Sequence, residues 1–230
     1  MAASVKLTVN GIYHRQTGLN EYARQAMVAP IEVEVEEGLG GKVLISEGEY
    51  NSEGFSLEGL DPLERHSAGI ACWHTGPKKG EHGWPTYTYY GSYVEVAYGT
   101  ESNFDAPYDL RNNTNRVINN TAGSIVGYKC FNFTSTEGKK EVKLKMRLIP
   151  EGVDGTITVM ADRPWTSQGG KVLGAMELKA DMPQTSTELE VNLPALAELT
   201  GKHALFFVFD SETKEKSLCI LEDFVFAAGE

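Results

Sequence analysis

The chain has 230 residues, of which 41% are hydrophobic and 23% are charged, as is usual for a folded chain with a hydrophobic core. Its 21 Lys and Arg residues against 32 Asp and Glu residues give a net charge of −11 at neutral pH. A surface this acidic repels phosphate groups, so neither nucleic acid nor an anionic membrane surface is expected as a partner. Three cysteines are too few for a disulfide framework.

Residues 1–30 are predicted to form a lead-in or linker. Within them, Ser4–Val9 has the pattern of a short strand, and a polar run follows at residues 10–20. Glu21–Val28 is compatible with a short helix that would end before Pro30. We therefore place the start of the main domain at residue 31.

Residues 31–230 are predicted to form an all-β domain, an antiparallel β-sandwich with an aromatic-rich insertion at about 50–115. After residue 116, short apolar runs alternate with turn residues, at a spacing typical of β-sandwiches. The predicted strands are Ser124–Phe133, Lys140–Leu148, Gly155–Met160, Leu173–Ala180, Ser186–Leu193, His203–Phe209 and Leu218–Phe226. One helical turn is predicted at Pro194–Leu199.

Two of these runs indicate how deeply their strands are buried. Lys140–Leu148 alternates apolar and basic residues, which predicts one dry face and one wet face. His203–Phe209 is almost continuously apolar, which predicts a central strand covered on both faces.

Two acidic positions have two possible interpretations. In Ile31–Glu37, Glu32 and Glu34 would share one strand face, and in the last strand Glu222 would be the only polar side chain on its face. A carboxylate in a dry layer must be paired, protonated or bound to a cation such as calcium. The other interpretation is that the first two lie on a wet face and Glu222 lies at the rim.

Six landmarks over about half of the chain resemble the family 6 carbohydrate-binding modules. They are Ile118–Asn119, Tyr128–Lys129 with Phe133, Gly155–Ile157, Gly201–His203 with Leu205–Phe209, Glu222 before Phe224 and Phe226, and the Glu-x-Glu pattern of Glu32 and Glu34. The resemblance implies a jelly-roll sandwich whose first and last strands share a structural calcium. It would be held here by Glu32, Glu34 and Glu222, with glutamate where the family usually has aspartate in the last strand.

The usual sugar site of that family pairs two aromatic rings with an asparagine. The corresponding positions here are Val117, Ser186 and Ile220, none of which supplies the ring or the amide. The resemblance therefore implies a site that has been lost.

Aromatic residues elsewhere offer other sugar contacts. Residues 73–108 contain nine of the 22 aromatic residues of the chain, and loop residues with hydrogen-bonding side chains flank several of them. We predict that Trp84, Tyr87 and Tyr89, together with Trp165 from another loop, contact a saccharide by stacking. Alternatively, the tyrosines cover a sheet face or pack on a neighbouring domain.

The lead-in segments Leu7–Ile12 and Leu19–Tyr22 resemble the stretch that follows a family 43 glycoside hydrolase domain. The resemblance to these modules implies a noncatalytic role. The chain would tether a polysaccharide-degrading enzyme to its substrate outside the cell or at its surface. The alternative is a structural accessory domain that packs on or completes a covalently linked hydrolase domain without binding sugar. No motif singles out a pair of catalytic carboxylates, so the chain itself is not expected to be an enzyme.

Overall fold

The computed structural model describes residues 4–16, 24–36, 40–56, 58–77, 91–95, 115–139 and 141–229. Across these ranges the chain is built from antiparallel strands joined by turns and by short 3₁₀ segments. The predicted all-β sandwich is confirmed. The helical segments in these ranges all fall short of the length and apolar character that crossing a bilayer requires.

The strands form three sheets. The first contains β1 (Ser4–Gln16), β2 (Arg24–Glu36) and β3 (Val43–Ile45), in that order. The second has the order β11 (Lys171–Leu178), β10 (Gly155–Ala161), β13 (Lys202–Asp210), β8 (Ile125–Asn132) and β5 (Trp73–Thr75). The third has the order β12 (Thr187–Asn192), β9 (Val142–Pro150), β14 (Cys219–Ala228), β7 (Arg116–Ile118) and β6 (Tyr93–Glu95), and β4 (His66–Ser67) also pairs with β14.

The second and third sheets enclose one hydrophobic core. Tyr128 and Phe207 from the second sheet meet Phe224 from the third, with ring centroids 4.9–5.4 Å apart, and all three side chains are buried. β13 lies in the middle of its sheet and is buried on both faces, whereas β9 alternates strictly between buried and half-buried residues. Both predictions of burial are therefore confirmed.

The seven strands predicted after residue 116 are β8 to β14, each found within two residues of its predicted bounds. The predicted turn at Pro194–Leu199 is a 3₁₀ segment, Pro194–Glu198. The N-terminal prediction was less accurate. Arg24–Val28, expected in a helix, lies in β2, which runs across the predicted boundary at residue 30, because its backbone pairs with β1 over the full 13 residues.

Part of the predicted insertion belongs to the sandwich. β4, β5 and β6 all lie between residues 50 and 115, and each is a member of one of the two large sheets. β4 pairs with the closing strand, with Ser67 opposite Asp223. Among the described residues, the strand that begins the sandwich is therefore β4 and not the segment that starts at Ile31.

A buried carboxylate fastens the segment before β4 to the sandwich. Glu53, whose side chain is 6% exposed, accepts hydrogen bonds from the backbone N–H groups of Cys130 and Gly59, both at 3.0 Å. The Nζ of Lys202 lies 2.8 Å from the same carboxylate. Three donors thus compensate for the burial of its charge.

The thiol of Cys130 beside this carboxylate is expected to react slowly. Burial first, and the negative charge of Glu53 second, raise the pKa of the Cys130 thiol to about 11. At pH 8 the thiolate fraction of Cys130 is about 100-fold below that of an ordinary thiol. A thiolate of higher pKa is the stronger nucleophile, which offsets about tenfold of the resulting loss in reaction rate. We expect Cys130 in the folded chain to react with an aromatic disulfide reagent about tenfold more slowly than in the urea-unfolded chain. A Cys130→Ser variant identifies which kinetic phase belongs to Cys130. Equal rates would contradict this environment.

Candidate functional site

A row of apolar side chains crosses the outer face of the five-stranded sheet. In strand register, Trp73 lies opposite Gly127, Gly127 opposite Phe206, Phe206 opposite Met160, and Met160 opposite Val172. Phe206 and Met160 belong to a small hydrophobic cluster separate from the main core. The five strands therefore carry a continuous apolar band on the side that faces away from the sandwich interior.

Gly127 allows the side chains of Trp73 and Phe206 to meet across the strand that lies between them. A Cβ atom at Gly127 would lie 2.7 Å from Cε1 of Phe206 and 3.4 Å from Cβ of Trp73. A side chain at this position would collide with the Phe206 ring, so glycine within the strand marks the close approach of the two aromatic residues. The rings of Trp73 and Phe206 meet edge to face, with centroids 5.5 Å apart.

Trp165 adds an exposed ring beside this band. Its centroid lies 6.0 Å from that of Trp73 at an interplanar angle of 68°, and the residue is 42% exposed. The carbonyl of Trp165 accepts hydrogen bonds from the backbone N–H groups of Gln168 and Gly170, both at 3.0 Å. The left-handed φ of +89° at Gly169 allows this tight loop, so the backbone that carries the ring is well fixed.

The band reaches the surface at its two ends, because Phe206 and Met160 at its centre are buried. Among the described residues from His66 onward, the exposed large hydrophobic residues are Trp165 and Val172. Both lie at this face, since Val172 pairs with Met160 and Trp165 packs on Trp73. Trp165, which packs on the half-buried Trp73 at one end of the band, and Val172 at the other end form a candidate binding platform.

Polar groups border the platform. Asp162 follows Met160 by two residues along the chain, and its Oδ1 lies 2.7 Å from Nδ1 of His203. In the neighbouring row, the half-buried Thr75 and Thr158 lie on the strands that carry Trp73 and Met160. Apolar rings flanked by hydroxyl and carboxylate groups suit a saccharide, whose CH faces stack on rings while its hydroxyls form hydrogen bonds.

The structure describes one of the four predicted sugar contacts, Trp165. Trp165 is exposed as the prediction requires, whereas Trp84, Tyr87 and Tyr89 lie outside the described residues. Trp73 was counted among the aromatic residues but not identified as a contact, because its proximity to Trp165 depends on strand pairing across the sheet. The one local indication of that pairing is Gly127 in the interior of a strand.

The three positions of the family's usual sugar site lie near one another. Val117 is fully buried and pairs with Leu221, the neighbour of Ile220. The hydroxyl of Ser186 donates to Oε2 of Glu222 at 2.5 Å. This part of the third sheet presents neither a ring nor an amide at these positions, as expected from the sequence.

The three glutamates predicted to hold calcium do not come together. Glu32 pairs with Lys6 at 2.6 Å and Glu34 accepts from Ser4 at 2.9 Å, both within the first sheet. Glu222 lies in the third sheet, and the part of the chain that the structure describes contains no group of three His, Cys, Asp or Glu residues placed to hold a metal ion. This donor set does not fit the calcium that the resemblance implies.

Of the two interpretations of Glu222, the one that places its side chain on a dry face is wrong. A β-bulge between Leu221 and Asp223 makes Glu222 an extra residue in β14, which reverses the alternation of faces. Leu221 and Phe224 therefore both point into the core, and Glu222 is half-buried next to Ser186.

A guanidinium group links the first and last strands of the sandwich instead. Arg65, which directly precedes β4, lies 2.5 Å from Oδ1 of Asp223 in β14 and 2.7 Å from Oε2 of Glu188 in β12. Arg147 lies in register between these two acids. Opposite charges thus alternate across three strands.

We expect calcium to leave the stability unchanged. An ion that binds only the folded state raises the unfolding temperature by mass action, and the three predicted ligands are too scattered to bind one together. The calorimetric unfolding temperature should agree within about 1 °C in EDTA and in millimolar calcium chloride. A rise of several degrees that Glu222→Gln abolishes would restore the calcium prediction.

No family model and no curated protein sequence matches the chain. Among solved structures, a family 43 arabinoxylan arabinofuranohydrolase from Bacillus subtilis in complex with cellotetraose matches 96% of this chain, with a TM-score of 0.55 and 20% identity. A family 6 module from Clostridium stercorarium in complex with cellobiose matches 76% of this chain and 100% of its own length, with a TM-score of 0.46 and 14% identity. The xylan-binding module CBM15 covers 73%, with a TM-score of 0.37 and 10% identity.

The chain spans 38% of the length of the Bacillus subtilis enzyme. At 20% identity this match shows a shared fold. It covers nearly the whole chain, so it takes in most of the first sheet as well as the sandwich. The chain thus shares its fold with part of a family 43 glycoside hydrolase structure.

Proposed function

We propose that the chain is a noncatalytic carbohydrate-binding module that holds a polysaccharide-degrading enzyme on its substrate. The observation that supports this most strongly is the exposed ring of Trp165, fixed above the apolar band of the five-stranded sheet. The similar fold of sugar-binding modules agrees with this function.

The proposed mechanism is stacking on a preformed surface. The ring of Trp165 is held by an edge-to-face contact with Trp73, and its backbone by two hydrogen bonds to its own carbonyl. Little side-chain freedom is therefore lost when a pyranose ring stacks on the indole, and this raises the affinity. Thr75, Thr158 and Asp162 would accept or donate hydrogen bonds at the border.

The exposed ring of Trp165 at the surface suits an extended polysaccharide chain more than a buried monosaccharide. We propose β-linked plant or algal polysaccharides as ligands, with the covalently linked hydrolase domain cutting the same polymer. Binding would act through the local concentration of substrate, at an extracellular or cell-surface location. Trp84, Tyr87 and Tyr89 remain proposed contacts of the same kind.

Affinity electrophoresis tests this function directly. The chain is run through native gels that contain xylan, arabinan, galactan or a β-glucan, with a non-binding protein of similar charge as the reference. We expect retardation by at least one polymer. Unchanged mobility in all of them would contradict sugar binding and leave the accessory-domain alternative.

A further inference from the structure

One face of the first sheet is apolar over most of its length. Strand register places alternate residues of all three strands on the same side. They are Val5, Leu7 and Val9 of β1, Ile31, Val33 and Val35 of β2, and Val43 and Ile45 of β3. We call this set the apolar face. The other side carries most of the charged and polar residues, among them the Lys6–Glu32 ion pair, together with the exposed Ile12 and Leu44.

The apolar face is exposed nevertheless. Leu7 is 50% exposed, Val43 57% and Ile45 67%. Isolated exposed apolar residues are ordinary, but a continuous patch without a charged residue indicates an interaction surface. An amphipathic sheet of this type is normally covered by a second apolar layer about 10 Å away.

A groove and a ridge occupy different ends of this face. The groove has a volume of about 340 Å³ and is lined mainly by Gly11, Tyr13, Ala29, Gly48 and Tyr50. Glycine keeps it open, since a Cβ at Gly11 would lie 2.7 Å from Cδ1 of Ile31. The ridge is formed by Val43 and Ile45 on β3.

The spacing along the strands makes the face complementary to itself. The row of Leu7, Val33 and Ile45 lies two residues to one side of the Val9–Ile31 pair, and the Gly11–Ala29 pair lies two residues to the other side. A two-fold axis that crosses the strands at Val9–Ile31 therefore superimposes the ridge of one copy on the groove of the other.

We propose that two copies of this chain pack their apolar faces together about such an axis. The charge distribution supports a second copy as the partner, because no charged residue belongs to the apolar face. Glu32, Glu34 and Glu36 lie on the opposite face, directed away from the partner copy. Repulsion between two chains of net charge −11 is then spread over the outer surfaces, where salt screens it.

The size of the face sets the strength of this dimer. The apolar face and the groove together extend along nine residues of β1, from Val5 to Tyr13. At about 3.4 Å per residue and about 4.8 Å per strand they measure at most about 31 by 14 Å, so two copies bury at most about 900 Å². This is just below the size of a stable specific interface. We therefore expect a reversible dimer with a dissociation constant on the order of 10 µM, tighter at higher salt.

Sedimentation equilibrium from about 1 to 200 µM measures this association. The wild-type chain should approach twice the monomer mass. Leu7→Glu places a charge in the interface and should weaken the dimer at least about tenfold, whereas Thr8→Glu, the neighbouring position on the opposite face, should not. Val43→Lys on the ridge is a second variant, and circular dichroism checks that each variant is folded.

Three results would overturn the proposal: a wild-type monomer over the whole range, a dimer that resists both Leu7→Glu and Val43→Lys, or equal weakening by Thr8→Glu. A monomer that instead binds the Bacillus subtilis arabinoxylan arabinofuranohydrolase would assign the face to an enzyme domain. This surface is separate from the platform around Trp165, so sugar retention and self-association can each fail without the other.

Discussion

Replacing Phe224 by alanine should lower the free energy of unfolding by about 3–5 kcal/mol, the largest single effect that we expect. Phe224 is fully buried, and its ring lies 4.9 Å from Tyr128, 5.1 Å from Phe207 and 5.7 Å from Phe131. Because Phe224 belongs to one large sheet and the three rings around it to the other, the cavity would open between the sheets. Urea unfolding followed by tryptophan fluorescence measures the change.

The matched control for this variant is Val172→Ala. Val172 is 49% exposed, so its truncation should cost about 0.5 kcal/mol or less. A loss below about 1.5 kcal/mol for Phe224→Ala would contradict close packing between the two sheets.

Trp165→Ala should weaken polysaccharide binding about 30- to 100-fold, which corresponds to about 2–3 kcal/mol. The ring is the exposed aromatic part of the platform, so its loss removes most of the stacking area and uncovers the edge of Trp73. The half-exposed position predicts little change in stability. Isothermal titration with an oligosaccharide of the retarding polymer gives both the affinity and the number of sites.

Phe55→Ala provides the comparison for this second variant. Phe55 is an aromatic residue that is 67% exposed and lies in a turn before β4, away from the five-stranded sheet in sequence. We expect unchanged affinity for Phe55→Ala. Equal affinity for Trp165→Ala and the wild-type chain would exclude the platform as the binding surface.

The strands of the sandwich could be predicted because their burial repeats with a period of two. Val142, Leu144 and Met146 are buried while Lys143 and Lys145 are not, so the sequence reflects the pleat directly. The continuous apolar run of β13 likewise reflects its central position. In both strands, tertiary burial reinforces the local pattern.

Other features depend on partners that a local pattern does not reveal. Arg24–Val28 is compatible with a helix by itself, but the ladder with β1 holds it extended. The bulge at Glu222 inserts one residue and exchanges the faces of β14, and a strict period of two cannot anticipate this. The bulge explains the orientation of Glu222, and the strand of Glu32 and Glu34 belongs to a different sheet from that of Glu222.

The candidate site was predicted in part. Trp165 in a short proline-containing loop was identified from the sequence, because an aromatic residue between polar loop residues has little to pack on. The contribution of Trp73 and Phe206 depends on strand register through Gly127, which brings together three segments far apart in the chain. Contacts by Trp84, Tyr87 and Tyr89 stay predictions.

The most direct test of the proposed sugar site is the response of the three tryptophan indole N–H resonances to a bound oligosaccharide. Each resonance is assigned by single substitution, and the ligand is a fragment of the polymer that retards the chain. We expect the Trp165 resonance to shift most, and that of Trp73 to follow at the same ligand concentration. A saturable shift confined to Trp84, or binding that leaves all three resonances in place, would contradict a sugar site on the five-stranded sheet.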